Sequence, residues 1–238
     1  MATAAEVHAL LEAERDERGI GHWARLGAGT GGLKSHGIGL TRLRKIAREL
    51  GRDRGLAQAL WTSDVYDARV IALLVDDPKQ VTREQAEAQV EQLAGGQLAH
   101  VFASCDATLA KTPFMVELAQ AWIHSDDPVR RDCGYGLLYE ASKLQPKKAP
   151  DEALFLAIVG RIAAAIDREP ERVRLAMATA LMGIGKRTAR LNAAALKVAR
   201  DVGPIEFTSA SGNCEPFDVA RHLDNDRLRA KFAGNAGA

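Results

Sequence analysis

The 238 residues carry 32 Lys and Arg against 31 Asp and Glu, a formal charge of +1, with 47% hydrophobic and 5% aromatic side chains. That balance excludes a disordered chain, and a chain of this length buries enough surface to need no disulfide or metal staple. Forty-two alanines, with no alternating runs of β-branched or aromatic residues, exclude an all-β fold.

In chain order, Ala5 to Glu17 reads as an acidic helix and Gly27 to Gly32 as a flexible glycine-rich connector. No strand precedes those glycines and no Gly-Lys-Ser/Thr ends them, so they are not read as a phosphate cradle. Thr41 is expected to cap a helix to Leu50, with Leu43, Ile46, Ala47 and Leu50 on one face and Arg42, Arg44, Lys45 and Arg48 on the other. Val65 to Val75 is a second helix, stopped by Asp76-Asp77-Pro78. Thr82 and Gln85 form a capping-box pattern opening Arg83 to Leu93. Thr112-Pro113, Asp127-Pro128 and Pro150-Asp151 open helices through His124, Lys143 and Ile166, each with proline expected inside the first turn. Pro128-Val129-Arg130 with Gly136-Leu137-Leu138 matches Val173-Arg174 with Ala180-Leu181-Met182 at an offset of 44. Helix pairs repeating at that period predict an all-α, HEAT-like helical-repeat solenoid, an α-α superhelix with a concave basic face.

No apolar run approaches the roughly 18 residues of a membrane span, and the N-terminus does not read as a signal peptide. A soluble cytoplasmic protein is expected, with no membrane or metal partner and no cofactor. Cys105, Cys133 and Cys214 are spaced for neither a disulfide framework nor a zinc site and are read as reduced packing residues. Six histidines show no i, i+4 pairing for metal, and no Cys-His or Gly-x-Ser-x-Gly signature is present.

The charge is uneven along the chain. Arg172 to Arg200 holds seven cations, Arg172, Arg174, Lys186, Arg187, Arg190, Lys197 and Arg200, and no acid. Arg190 and Lys197 are expected to form an outward stripe while Leu191, Ala195 and Val198 face the core. Arg42 to Arg54 adds six cations against Glu49 and Asp53, and Lys143, Lys147 and Lys148 form a third cluster. Two readings stand: solvated helix faces whose counter-charges come from neighbours in space, or a surface that neutralises phosphates. Sparse aromatics favour backbone contacts with duplex over base stacking.

Gly37-Ile38, Leu43-Arg44-Lys45-Ile46-Ala47, Asp67-Ala68-Arg69, Asp77-Pro78-Lys79-Gln80-Val81-Thr82, Lys111-Thr112-Pro113-Phe114, Lys148-Ala149-Pro150-Asp151 and Gly185-Lys186-Arg187 with Leu191-Asn192 occur in order. The set resembles the DNA alkylation repair family, the AlkD-type HEAT-like repeat proteins, from about Gly37 to Arg200, with a looser echo near Cys214 to Leu223. The chain is thus expected to divide into residues 1–35, an N-terminal helix and glycine-rich connector that the resemblance leaves unassigned, 36–205 as the repeat domain, and 206–238 as a partly ordered extension. The resemblance implies duplex or structured DNA held through backbone phosphates and, in active members, excision of N3- or N7-alkylated purines without base flipping.

Active members place a tryptophan and, four positions later, an essential aspartate upstream of the Lys-Thr-Pro-Phe. The matching positions here are Leu98 and Phe102, with Thr179 at a second tryptophan and Asp132 at a basic position. Asp106, one helical turn beyond Phe102, is the alternative carboxylate if the register slips by a turn. The expected DNA contacts are Arg42, Arg44, Lys45, Arg48, Lys111, Lys147, Lys148, Lys186, Arg187, Arg190 and Lys197. Three functions stay open: a non-excising DNA-binding protein, a glycosylase with a displaced carboxylate, and a scaffold for a protein partner.

Overall fold

The computed structural model describes residues 2–94, 96–208 and 215–235. Among them are fourteen α-helices, three short 3-10 turns and two isolated β-bridges, but no strands, so the all-α expectation holds. Among the described residues no helix is long and apolar enough to cross a membrane. The chain divides into two compact units. The first runs to Met115 and includes Thr208; the second comprises Val116–Phe207 and the described residues from 215 on.

The first unit opens with α1 (Ala4–Ala13), whose Thr3 cap and Glu6 form a complete capping box. The single acidic helix expected over Ala5 to Glu17 is instead two. Asp16 caps α2 (Glu17–Arg25), and its own N–H donates to His36 O at 2.9 Å, which breaks the helix there. The expected flexible connector is a 3-10 turn, Gly27–Thr30, packed against α7 (Gly96–Ala103). Gly96, at φ 68°, comes so close that a Cβ would lie 2.1 Å from Gly29 O, so backbone meets backbone where only glycine fits.

In α3 (Leu40–Leu50) the cap is Gly39, not Thr41, which lies within the first turn. Leu43, Ile46 and Ala47 are buried as expected, while Leu50 is only half-buried. Then come α4 (Arg54–Trp61), which the sequence reading passed over, and α5 (Tyr66–Val75), which is almost wholly buried. Thr82 caps α6 (Arg83–Val90), which ends three residues before the expected Leu93. The capping box is only half formed: Gln85 N donates to Thr82 Oγ1, but the Gln85 amide turns away to Asp76 Oδ2 at 2.8 Å. A last 3-10 turn, Thr108–Lys111, packs against α5 and α7.

A buried carboxylate ties the segment before α3 to α5. Asp67 is wholly buried and accepts from Ser35 Oγ (2.8 Å), His36 N (2.8 Å) and Ile38 N (3.1 Å). Without it, the buried Ile38 N–H and the half-buried His36 N–H and Ser35 hydroxyl would lose their acceptor.

The second unit contains α8 (Met115–Trp122), all but its first residue, then α9 (Pro128–Ser142), α10 (Glu152–Ala165), α11 (Glu171–Gly185), α12 (Ala189–Val202), α13 (Val219–Leu223) and α14 (Asp226–Asn235). Only Pro128 sits in a first helical turn. Pro113 and Pro150 precede their helices, and α8 starts at Met115 and ends before the expected His124. The repeat at offset 44 is realised as α9 and α11, the most extensively packed pair of helices. Their approach depends on Gly183, where a Cβ would lie 2.2 Å from Ser142 Oγ. Leu191, Ala195 and Val198 of α12 are buried as expected.

Replacing Asp67 by alanine leaves one buried and two half-buried donors without their acceptor, so an Asp67→Ala variant is expected to lose roughly 2 kcal/mol or more of stability. Urea denaturation checks this; a loss under about 1 kcal/mol contradicts the role given to the carboxylate.

Candidate nucleic-acid interface

Each unit holds a basic cleft. In the first, the outer face of α3 meets the turn after α7 around a space of about 700 Å³ lined by Thr41, Arg44, Arg48, Arg52, Asp106 and Lys111. Arg44 donates to Cys105 O (3.3 Å) and pairs with Asp106 at 3.4 Å, while Lys111 Nζ donates to Asp106 O at 2.6 Å. Arg52 is committed to structure: one guanidinium nitrogen donates to Leu74 O, Asp76 O and Thr108 Oγ1. Arg48 has no carboxylate partner among the described residues, its Nε reaching only Arg44 O at 3.3 Å. Arg42 and Lys45, on the same helix, are occupied by Glu14 and by Glu49 at 4.0 Å.

In the second unit, the C-terminal ends of α9 and α11 and the N-terminus of α12 surround about 540 Å³ lined by Tyr139, Lys143, Lys186, Arg187, Thr188 and Lys231. Lys143 lies 4.4 Å from the Tyr139 ring centre and pairs with Glu140 at 2.5 Å. Arg187 is a strut: it stacks 5.0 Å from the Phe155 ring centre and donates to Ser142 O (2.5 Å) and Leu144 O (3.1 Å). Lys186 has no carboxylate partner among the described residues. Burial, with repulsion from Arg227, pushes its ammonium below the usual lysine range.

The acid-free run from Arg172 to Arg200 is therefore largely neutralised from elsewhere: Arg172 by Asp132 (3.8 Å), Arg190 by Glu152 (3.6 Å), Lys197 by Asp201 (2.9 Å) and Arg200 by Asp224 (2.8 Å). Lys147 and Lys148 are exposed on the loop after α9. Thus Arg44, Arg48 and Lys111 gather around one cleft and Lys186 and Arg187 around another, while Arg42, Lys45, Arg190 and Lys197 face acids. Lys231, in the second cleft, was missed because Asp224 and Asp226 balance Arg227 and Arg229 beside it in sequence and its helix lies well beyond the basic runs.

The positions matched to the family's excision site hold no exposed functional group. Leu98 and Phe102 are 5% and 0% exposed, the Phe102 ring packing 6.3 Å from Trp61. Thr179 Oγ1 donates to Leu175 O (2.8 Å), and Asp132 is buried beside Arg172. Asp106 is not one helical turn beyond Phe102. α7 ends at Ala103, and Cys105 and Asp106 turn into the left-handed region at φ 58° and 69°, carrying the carboxylate off the helix axis. That removes the geometric basis for a one-turn slip.

Of the cysteines, Cys133 is the reduced packing residue expected and Cys105 is not. Cys133 is fully buried, and desolvation together with Asp132 pushes its thiol well above the ordinary range. Cys105 is only half-buried, and its Sγ lies 3.3 Å from His100 Nε2, a Cys-His contact made in space that the sequence reading did not find. Cys214, and the start of the family echo with it, lie outside the described residues.

A fold of packed helix pairs with basic clefts is that of a HEAT-like repeat protein. The chain belongs to the DNA alkylation repair enzyme family, whose model matches residues 7–208. No curated protein matches it. A solved structure described as a new family of proteins related to the HEAT-like repeat DNA glycosylases, with affinity for branched DNA structures, is similar over 97% of this chain and 96% of that one. Its TM-score is 0.82 at 20% identity, which establishes the shared fold.

Because Cys105 is accessible and Cys133 is not, iodoacetamide is expected to label one thiol in a native Cys214→Ser variant, at Cys105, and a second only after unfolding. Peptide mass spectrometry reads the sites; prompt native labelling of Cys133 would contradict the packing of α9.

Proposed function

We propose that this protein binds duplex or structured DNA through its phosphate backbone and does not excise alkylated bases. One observation carries the binding reading: Arg48 and Lys186, cations without carboxylate partners, stand at two clefts with room for phosphate groups. Family membership and the branched-DNA affinity of the similar structure support it. The clefts offer guanidinium and ammonium groups but few aromatic faces, so contact is to phosphate and sugar, with a preference set by DNA shape.

The loss of excision follows from the buried side chains at Leu98 and Phe102. Charge developing on sugar and base needs an anion nearby, and a preorganised charged group contributes several kcal/mol. A phenyl ring offers about 0.5 to 2 kcal/mol to a cation, and only when exposed to it. Losing roughly 3 to 4 kcal/mol slows the step about a hundredfold to a thousandfold. Asp106, 70% exposed and paired with Arg44, serves to hold the cleft's arginine.

Titration of labelled four-way junction and linear duplex of equal length, at two salt concentrations, tests the binding. Affinity is expected to fall steeply with salt and to favour the junction. Arg48→Glu with Lys186→Glu should weaken binding by about tenfold or more and flatten the salt slope. Arg190→Glu with Lys197→Glu should cost less than about threefold, since acids already offset those cations. Equal loss in both pairs, with helical content unchanged by circular dichroism, would contradict the assignment to the clefts. Release of 7-methylguanine from alkylated duplex is expected at background; robust release abolished by Asp106→Asn would overturn the non-excising reading.

A further inference from the structure

The turn after α7 carries a nucleophile that the DNA-binding reading leaves unused. Cys105 and Asp106 stand in the left-handed region, at φ 58° and 69°, although neither is glycine. Non-glycine residues are uncommon there, and strained positions of this kind gather at functional sites. The turn brings Cys105 Sγ to 3.3 Å from Nε2 of His100, which lies on α7. Cys105 is half-buried and His100 exposed, so the pair lies at the surface.

A thiol within hydrogen-bond reach of an imidazole is the arrangement of an activated nucleophile. The groups around this pair are mainly cationic. Arg44 Nε donates to Cys105 O at 3.3 Å and pairs with Asp106 at 3.4 Å, while Lys111 Nζ donates to Asp106 O at 2.6 Å. Asp106 is the acid opposing them, and it is 70% exposed. The Ser104 hydroxyl, 3.5 Å from Sγ, donates to His100 O at 2.6 Å. Reactive cysteines occupy electropositive, partly exposed surroundings of this type, whereas the fully buried Cys133 does not.

We propose that Cys105 is a site of reversible modification by an anionic low-molecular-weight disulfide, with His100 as its base. The thiol proton passes to His100 Nε2, and Sγ attacks one sulfur of the disulfide. A new S–S bond forms to Cys105 as the old one breaks, and the departing thiolate takes the proton back from His100 and leaves as a thiol. The protein thiol is oxidised and the small disulfide reduced, so no other oxidant is needed. Arg44 and Asp106 also line the first basic cleft, so the adduct places negative charge at its edge. The coupling rests on the DNA-binding reading: the adduct repels the phosphates that Arg44, Arg48 and Lys111 attract.

Oxidised glutathione, applied to the full chain carrying Cys214→Ser, is the probe. Peptide mass spectrometry is expected to find one glutathionyl group on Cys105, none on Cys133, and its release by dithiothreitol. His100→Gln should slow the exchange about tenfold at neutral pH. The two rates should converge above about pH 9.5, where an exposed thiol ionises without help. A merely structural role for His100 would slow exchange at both pH values. The glutathionyl protein should bind linear duplex about threefold or more weakly, whereas the cationic adduct formed with cystamine should bind at least as well as the unmodified chain. No adduct on Cys105, an unchanged rate in His100→Gln at neutral pH, or slowing that persists at high pH overturns the thiol site. Equal weakening by both adducts, or none by either, overturns the coupling to the cleft. Failure of the unmodified protein to bind DNA, with His100-dependent exchange intact, would overturn the DNA reading and leave the thiol site standing.

Discussion

Helix C-termini leave carbonyls without intrahelical partners, and a protein built of packed helices has one such end at nearly every turn of its chain. This protein satisfies them repeatedly with arginine. Arg69 serves Ser63 O after α4 (2.7 Å), and Arg52 serves Leu74 O and Asp76 O at the end of α5. Arg161 serves Ile123 O after α8 (2.7 Å), Arg131 serves Ser125 O and Asp126 O (2.8 Å each), and Arg187 serves Ser142 O and Leu144 O at the end of α9. A planar guanidinium reaches two or three carbonyls at once and complements the negative end of the helix dipole. The donor often comes from a distant stretch of chain, so the same bond that closes a helix also docks it.

Much of the positive charge is therefore structural, which narrows the functional question. A count of cations along the chain overstates the surface proposed to meet DNA because it cannot separate a guanidinium spent on carbonyls from one facing solvent. It also misses acids that arrive from other helices, such as Glu152 beside Arg190 and Asp224 beside Arg200. Arg48 and Lys186 remain, with Lys111, Lys143 and Lys231 around them. The basic surface is smaller and more local than the sequence implies, and its affinity depends on where those few groups lie.

The fold was largely readable because helix signals are local. The cap at Thr82, the helix start at Asp127-Pro128, the stop at Asp76 and the buried stripe of α12 depend on neighbours within one turn. Errors came where a residue's bond goes far away. Asp16 N bonds to His36 and splits the first helix, and the Gln85 amide bonds to Asp76 and leaves its box half made. The residues that carry the family resemblance are themselves mostly structural: Asp67 ties down residues 35–38, Asp77 accepts from Lys79 N and Gln80 Nε2, and Asn192 donates to Gly185 O and Leu223 O. They identify a fold and say little about chemistry. The clefts, the Cys105–His100 contact and the left-handed turn at Asp106 needed coordinates, since each joins residues whose relation in sequence carries no pattern.

The central claim is that cleft cations meet DNA while cations paired with acids do not, and lysine footprinting tests it most directly. The protein, free and saturated with junction DNA, is acetylated briefly and the modified lysines are read by mass spectrometry. Protection is expected at Lys111 and Lys186, with Lys45 and Lys197 as reactive in the complex as in the free protein. Protection of Lys45 and Lys197 with the cleft lysines unchanged would contradict the account and return the paired helix faces to the interface.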